Sequence, residues 1–429
     1  MKQQIPYRYR VLVFLFFLTF VTYLDRVSIA LVDQWIKSEF HLNNTKWGVI
    51  GGAFALSYAL FEIPSGVWGD RTGQRATFIR IVLWWSLFTA FTGLTTGFLS
   101  LLIIRFLFGM GEAGAFPNTA AVISKWFPAQ ESSRGISIAW SGLFAGMAAA
   151  PFIVMTIADA YGWRTTFFVN GGLGVAWVFV CAFWFKNTPS DMKGISDEEK
   201  TFIESNRRYF DHKQRYPWKK ILKNQSLLAL VTAFSVSQSL NYFFVFWMPS
   251  YLREARHISE NEIKWTYTLA YSLATVCCFF GGYVSDSIIK RKGIKFGRRS
   301  FGFSVLAGSG LSILAQAITS NHTIIMTALI IGISFYSLVA IPFFGTCVDI
   351  GGNRAATISG TMNFCGQGAA FLFSVIFGKM ADTTGFSLPV YILITALIVG
   401  AFLWYFVDPS KPLVVKDNTA PVLAGLALT

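Results

Sequence analysis

A chain of 429 residues with 54% hydrophobic, 17% aromatic and only 14% charged residues, at a mean hydropathy of +0.50, is too apolar for a soluble domain of any core size. Its net charge of +14 does not point to nucleic acid, because the basic residues fall in short loops between apolar runs and not in a patch on one polar face. The composition belongs to the lipid bilayer.

Runs of about 20 apolar residues, enough to cross roughly 30 Å of hydrocarbon, can be placed twelve times: 9–31, 47–69, 76–97, 99–124, 135–158, 164–185, 225–252, 263–287, 300–319, 323–347, 355–381 and 387–407. The first follows a basic start without a small-residue cleavage site and is read as a retained span. Alternate loops carry Arg71 and Arg75, then Lys125 and Arg134, then a dense stretch from Lys186 to Lys223, then Lys290 to Arg299. The opposite loops are nearly bare, so the excess of loop Lys and Arg puts both termini in the cytoplasm.

The segment 186–224 is the one long polar stretch. It divides the spans six and six, and "SDEEKTFIE" within it carries the Ser and acidic start of a short interfacial helix. The expected organisation is an N-terminal half over 1–185, a cytoplasmic linker over 186–224, a C-terminal half over 225–408 and a cytoplasmic tail over 409–429. A repeat supports the division. "GVWGDRTGQR" from Gly66 follows the second span, and "GYVSDSIIKRKGIKFGRR" from Gly282 follows the eighth. Each reads Gly, three residues, Asp, then a basic loop with Gly and Arg, the mark of a duplicated six-span unit with a site between the halves at mid-membrane.

Charge inside the spans carries the chemistry. In "TYLDRVSIAL", Asp25 and Arg26 interrupt an apolar helix, and a charge at bilayer depth faces a partner or a wet cavity. Arg105 and Glu112 lie seven residues apart on the fourth span, two turns less about 20°, and so share a face. Tyr23 and Arg26 share one on the first span, and Tyr58 and Glu62 on the second. A guanidinium is permanently charged and forks onto carboxylates, whereas a carboxyl in a poorly hydrated cavity can load and release a proton. The five cysteines (Cys181, Cys277, Cys278, Cys347, Cys365) lie in apolar segments without metal-ligand spacing. The four histidines (His41, His212, His257, His322) sit in loops, which argues against a histidine relay.

Gly66, Asp70, Arg71, Gly73 and Arg75 match the loop signature of the major facilitator superfamily. Together with "YLDR", "FEIPSGVWGDRTG", "RFLFGMGEAGAFPNTAAVISKWFPAQESSRG" and "YGWRTTFF", the chain resembles the anion:cation symporter family, nearest to its bacterial hexuronate, galactonate and glucarate carriers. The resemblance implies an all-α membrane protein of twelve transmembrane helices in two six-helix halves. It implies that Arg26 grips a substrate carboxylate with Tyr23 and Tyr58 in the pocket, that Asp25 and Glu112 carry protons, and that Arg105 couples them. Two alternatives stay open: Asp25 and Arg26 as a structural ion pair, and Arg105 with Glu112 as an intramembrane pair. Glu62 departs from the usual amide of the sugar-acid branch, and is either a third titrating group or the partner of a basic neighbour. Gly66 allows close helix approach, Asp70 caps or pairs with a helix end, and the loop arginines bridge to carboxylates, with Asp286 in the second copy. All are gating residues.

In the second half, Gln238 and Asn241 stand at i and i+3 of the seventh span, Asn363 and Gln367 at i and i+4 of the eleventh. Amides there can bind sugar hydroxyls or simply bond helix to helix; the resemblance implies that Asn363 contacts substrate. Asp349 reads as part of a latch. The expectation is a proton-coupled importer of a sugar acid, hexuronate or aldonate, working as a monomer in a bacterial inner membrane, with an exchanger or a carrier of another carboxylate, a dicarboxylate or small aromatic acid, as the rival. Neither cofactor, metal nor nucleic acid is called for; protons are favoured over sodium as the coupling ion. The alternative of another class is a membrane-embedded enzyme or a sensor, but no nucleophile–base pair or nucleotide loop suggests the first and no appended soluble domain suggests the second.

Overall fold

The structure is a computed structural model that describes residues 6–128, 131–206, 224–351 and 355–411. The parts of the expected linker and tail at 207–223 and 412–429, with His212, lie outside the described residues. Every regular element described is helical. Eleven helices are long and apolar enough to span a bilayer: Tyr7–Leu31, Asn44–Thr72, Phe98–Trp126, Arg134–Tyr161, Trp163–Phe183, Gln225–Ala255, Glu260–Lys292, Ile294–Ile318, His322–Gly351, Ile358–Thr384 and Ser387–Phe406. Gln74–Thr92, shorter and carrying Arg75 and Arg80, is the third span of the twelve.

Local chemistry sets the ends. The second span starts at Asn43, whose side chain accepts from the Lys46 N–H at 3.0 Å. The eighth starts with a reciprocal Ser259–Glu262 capping box. Both stop at a glycine with left-handed backbone, Gly73 at φ 84° and Gly293 at φ 79°, a conformation in which a Cβ is costly. These are the glycines of the two repeated loops, so the repeat is a repeat of turn geometry. The fourth and tenth spans, expected continuous, each break just past the middle, into Phe98–Glu112 with Ala115–Trp126 and His322–Ser337 with Ala340–Gly351. The seventh widens into π-turns on either side of Pro249.

Within the N-terminal half the first span packs on the fifth, the second on the fourth and the third on the sixth; in the C-terminal half the seventh packs on the eleventh, the eighth on the tenth and the ninth on the twelfth. Each pair reappears six spans later. The halves meet where the second span lies along the eleventh and the fifth along the eighth. Leu99, Phe183, Val276, Leu311 and Phe402 are exposed outward as residues in lipid should be.

Among the described residues, the ion pairs between the halves lie at the end away from the termini. Asp33 of the short helix Asp33–Glu39 is fully buried and pairs with Arg253, and Ser250 donates to it. Lys37 pairs with Glu254. Asp382 accepts from the N–H groups of Asn44 at 2.9 Å and Thr45 at 2.7 Å, capping the second span from the opposite half. Near the terminal end the helix Asp197–Asn206 supplies Glu199, which accepts from the N–H groups of Tyr7 and Arg8 at 2.9 and 3.1 Å and caps the first span.

Candidate functional site

Along the first span, successive residues point about 100° apart, and that decides the fate of Asp25 and Arg26. Arg26 turns toward the fourth span, where its Nε donates to Glu112 Oε1 at 2.9 Å and a second guanidinium nitrogen closes on the same oxygen. Its Nη1 donates to the Tyr23 hydroxyl at 3.1 Å. The rings of Tyr23, Phe54 and Tyr58 lie 4.5, 4.9 and 5.1 Å from the guanidinium carbon, an aromatic cage for a cation. Asp25 turns to the third span instead, within 3.5 Å of the Thr89 hydroxyl. The two neighbours are therefore not an ion pair with each other.

Arg105 is 3% exposed and shares the Phe54 ring with Arg26, its guanidinium carbon 5.2 Å from that ring and 4.6 Å from Phe108. It makes no ion pair among the described residues, and its Nε has no hydrogen-bond partner there. The intramembrane pair is thus Arg26 with Glu112, not Arg105 with Glu112. Two arginines and two carboxylates, nearly all buried, converge on one point of the N-terminal half.

The C-terminal half faces this point with amides and phenols. Gln238 is buried, accepts from the Tyr336 hydroxyl at 3.3 Å and lies against Gly366. Asn363 donates to both oxygens of Glu62, at 2.6 and 2.7 Å, across the junction of the halves. Glu62 therefore pairs with an amide and not with a base. Asn241 and Gln367 make no side-chain hydrogen bond among the described residues. Tyr242 donates to the Gly51 carbonyl at 2.7 Å, again across the halves. A row of rings runs from Tyr23 to Phe116 (6.1 Å), Trp140 (5.8 Å), Phe344 (5.4 Å) and Phe234 (5.9 Å), passing from one half to the other on the terminal side of the cage. Phe54, Thr89, Tyr242 and the rings of this row beyond Tyr23 escaped the sequence reading; only Phe54 had a signal, the fourfold spacing Phe54, Tyr58, Glu62 along one helix face.

The loop residues stand apart from the site. Asp70, Arg71 and Asp286 are exposed and without an ion pair among the described residues. Arg75 uses its guanidinium on the Ala182 carbonyl, and its N–H on Asn187 Oδ1 at 2.8 Å, with no carboxylate bridge among the described residues. The close helix approach falls at Gly69, where a Cβ would run into the Asn118 side chain; at Gly66 it would meet Pro117 at an ordinary 3.6 Å. Among the described residues, then, ion pairs join the halves at the far end while Asp70, Arg71 and Asp286 of the latch make none. Asp349 is held by Arg298 at 2.8 Å within the C-terminal half.

The model of the Major Facilitator Superfamily matches residues 15–374. The chain belongs to that superfamily. It is a multi-pass membrane transporter, not an enzyme. Relatives within the superfamily include the "probable sulfoacetate transporter" of Cupriavidus necator, 32% identical with 98% of each chain covered. The D-galactonate transporter of Escherichia coli is 28% identical over 92% of this chain and 94% of its own. The hexuronate transporter of Bacillus subtilis is 28% identical over 94% of both. A bacterial homologue of the human lysosomal transporter Spinster, solved inward-facing and occupied, superposes with a TM-score of 0.73 at 19% identity, covering 94% of this chain and 97% of that one. It shows the major facilitator fold independently of the motifs.

Proposed function

We propose that this transporter carries a small organic anion together with a proton, and that the anion is a sugar acid, a hexuronate or aldonate. The observation that carries the reading is the engagement of Arg26 by Glu112. Glu112 already occupies the carboxylate-binding edge of a caged guanidinium, so a substrate carboxylate and an ionised Glu112 compete for one fork. Protonating Glu112 removes the competitor, and anion and proton then travel together. Arg105, buried and without an ion pair among the described residues, leaves a second guanidinium beside the site in either state. Gln238, Asn241, Asn363 and Gln367 supply the hydroxyl-binding side, which suits a polyhydroxy chain.

Alternating access follows from the two ends. The far-end seal has to open and the terminal-end loops have to latch for the site to change sides. By the loop charges, the terminal end is cytoplasmic and the chain resides in the inner membrane. The alternative cargo is a short sulfonated carboxylate, favoured by the 32% identity to the sulfoacetate relative. Uptake of labelled galacturonate, galactonate and sulfoacetate into proteoliposomes, with and without an inward proton gradient, separates these. Accumulation of a sugar acid only with the gradient is expected; gradient-independent uptake would remove the coupling.

A further inference from the structure

A third carboxylate stands inside the site beside those of Asp25 and Glu112, and its task differs from that of Glu112. Glu62 lies one helical turn beyond Tyr58, whose ring is 5.1 Å from the Arg26 guanidinium carbon. It is half-buried, so it faces accessible space, and it has no cation within ion-pair distance among the described residues. Its one hydrogen-bond partner among the described residues is the Asn363 amide, which reaches both carboxylate oxygens from the other half. The remaining lone pairs of Glu62 and the Asn363 carbonyl oxygen are all acceptors. The site therefore has two unlike poles: a caged guanidinium at one, a wall of acceptors carrying a negative charge at the other.

We propose that Glu62, held by Asn363, is the charge filter of the site, admitting monoanions whose distal end donates hydrogen bonds and refusing anions with a second negative group there. A hydroxyl at that end can donate to Glu62. A second carboxylate or sulfonate meets like charge in a poorly hydrated cavity and leaves three sets of acceptors facing one another. This rests on the anion-transport reading above, and it selects, among sugar acids, the hexuronates and aldonates over the aldarates.

The test measures binding to the purified full-length protein by calorimetry with three matched pairs: galacturonate and galactarate, gluconate and glucarate, isethionate and sulfoacetate. The wild type is expected to prefer the monoanion of a pair by at least about tenfold. Glu62→Gln should collapse that preference chiefly by gaining dianion affinity. Asn363→Ala, which keeps the carboxylate, should weaken both ligands yet retain the preference, and it guards against a misfolded Gln variant. Equal wild-type affinity within every pair, or a preference unchanged in Glu62→Gln, overturns the filter while leaving anion transport standing. Binding confined to isethionate overturns the sugar-acid reading and supports the filter. Binding of none of the six overturns both.

Discussion

Glu112→Gln is the perturbation that bears most directly on coupling. Glu112 is fully buried, and the Arg26 side chain that holds it is 8% exposed. A hydrogen bond to a charged group contributes about 1.5–3 kcal/mol, and a substrate carboxylate has to displace that interaction to reach the guanidinium. At about 1.4 kcal/mol per decade, the competition weakens binding by about 10- to 100-fold whenever Glu112 is ionised. The sign follows: wild-type affinity rises as pH falls, because protonation neutralises the competitor, and it is lost as pH rises. Glutamine keeps the shape and removes the charge, so its affinity should be near the wild-type low-pH value and flat with pH. Calorimetry with galacturonate from pH 5.5 to 8.5 measures both curves. The same preparations in vesicles should exchange substrate yet fail to accumulate it against a gradient. A glutamine variant with the wild-type pH slope, or one that still accumulates substrate, would refute the competition.

Arg26→Lys should weaken substrate binding about tenfold or more, since an ammonium cannot reproduce the fork; affinity close to wild type would place the anion elsewhere. Asp33→Asn deprives Arg253 of one of its two carboxylates, the other being Glu260, and should raise the far-end-open population about tenfold, read as thiol labelling of a cysteine introduced there; unchanged labelling would show that the pair is not part of the seal. Asp70→Asn should slow turnover with binding intact, and lost binding at normal rate would contradict its place outside the site.

The spans, the six-and-six division and the turn glycines were legible because hydropathy and the Gly-x-x-x-Asp repeat are local signals. The breaks at Gly114 and near Leu338 were not, since an apolar run reads the same whether it is straight or kinked. Inside the site, helical spacing correctly put Tyr23 with Arg26 and Tyr58 with Glu62, but it left an Asp25–Arg26 ion pair open, and the structure closes that alternative by turning the two neighbours to different spans. Which carboxylate each arginine meets depends on how the first, second and fourth spans are rotated against one another, and a single sequence holds no record of that. Hence Arg105 stood beside Glu112 by spacing alone, while the pairing partner came from the first span. The Glu62–Asn363 contact, 301 residues apart, is of the same kind.

The far-end seal is built of two materials, and the difference makes the external medium part of the machine. Asp33 is sheltered from ions, but Glu254 is 35% exposed, and the Asp382 contacts with Asn44 and Thr45 are at the surface. Over a Debye length of about 10 Å at 0.1 M salt, the exposed contacts are screened and the buried one is spared. Rising ionic strength on that side thus loosens the outer part of the seal first and lets the second span lose its borrowed cap, while the Asp33–Arg253 core still holds the halves in register. The resting balance between the two access states is set partly by the salinity of the compartment that the far end faces, before any substrate has bound.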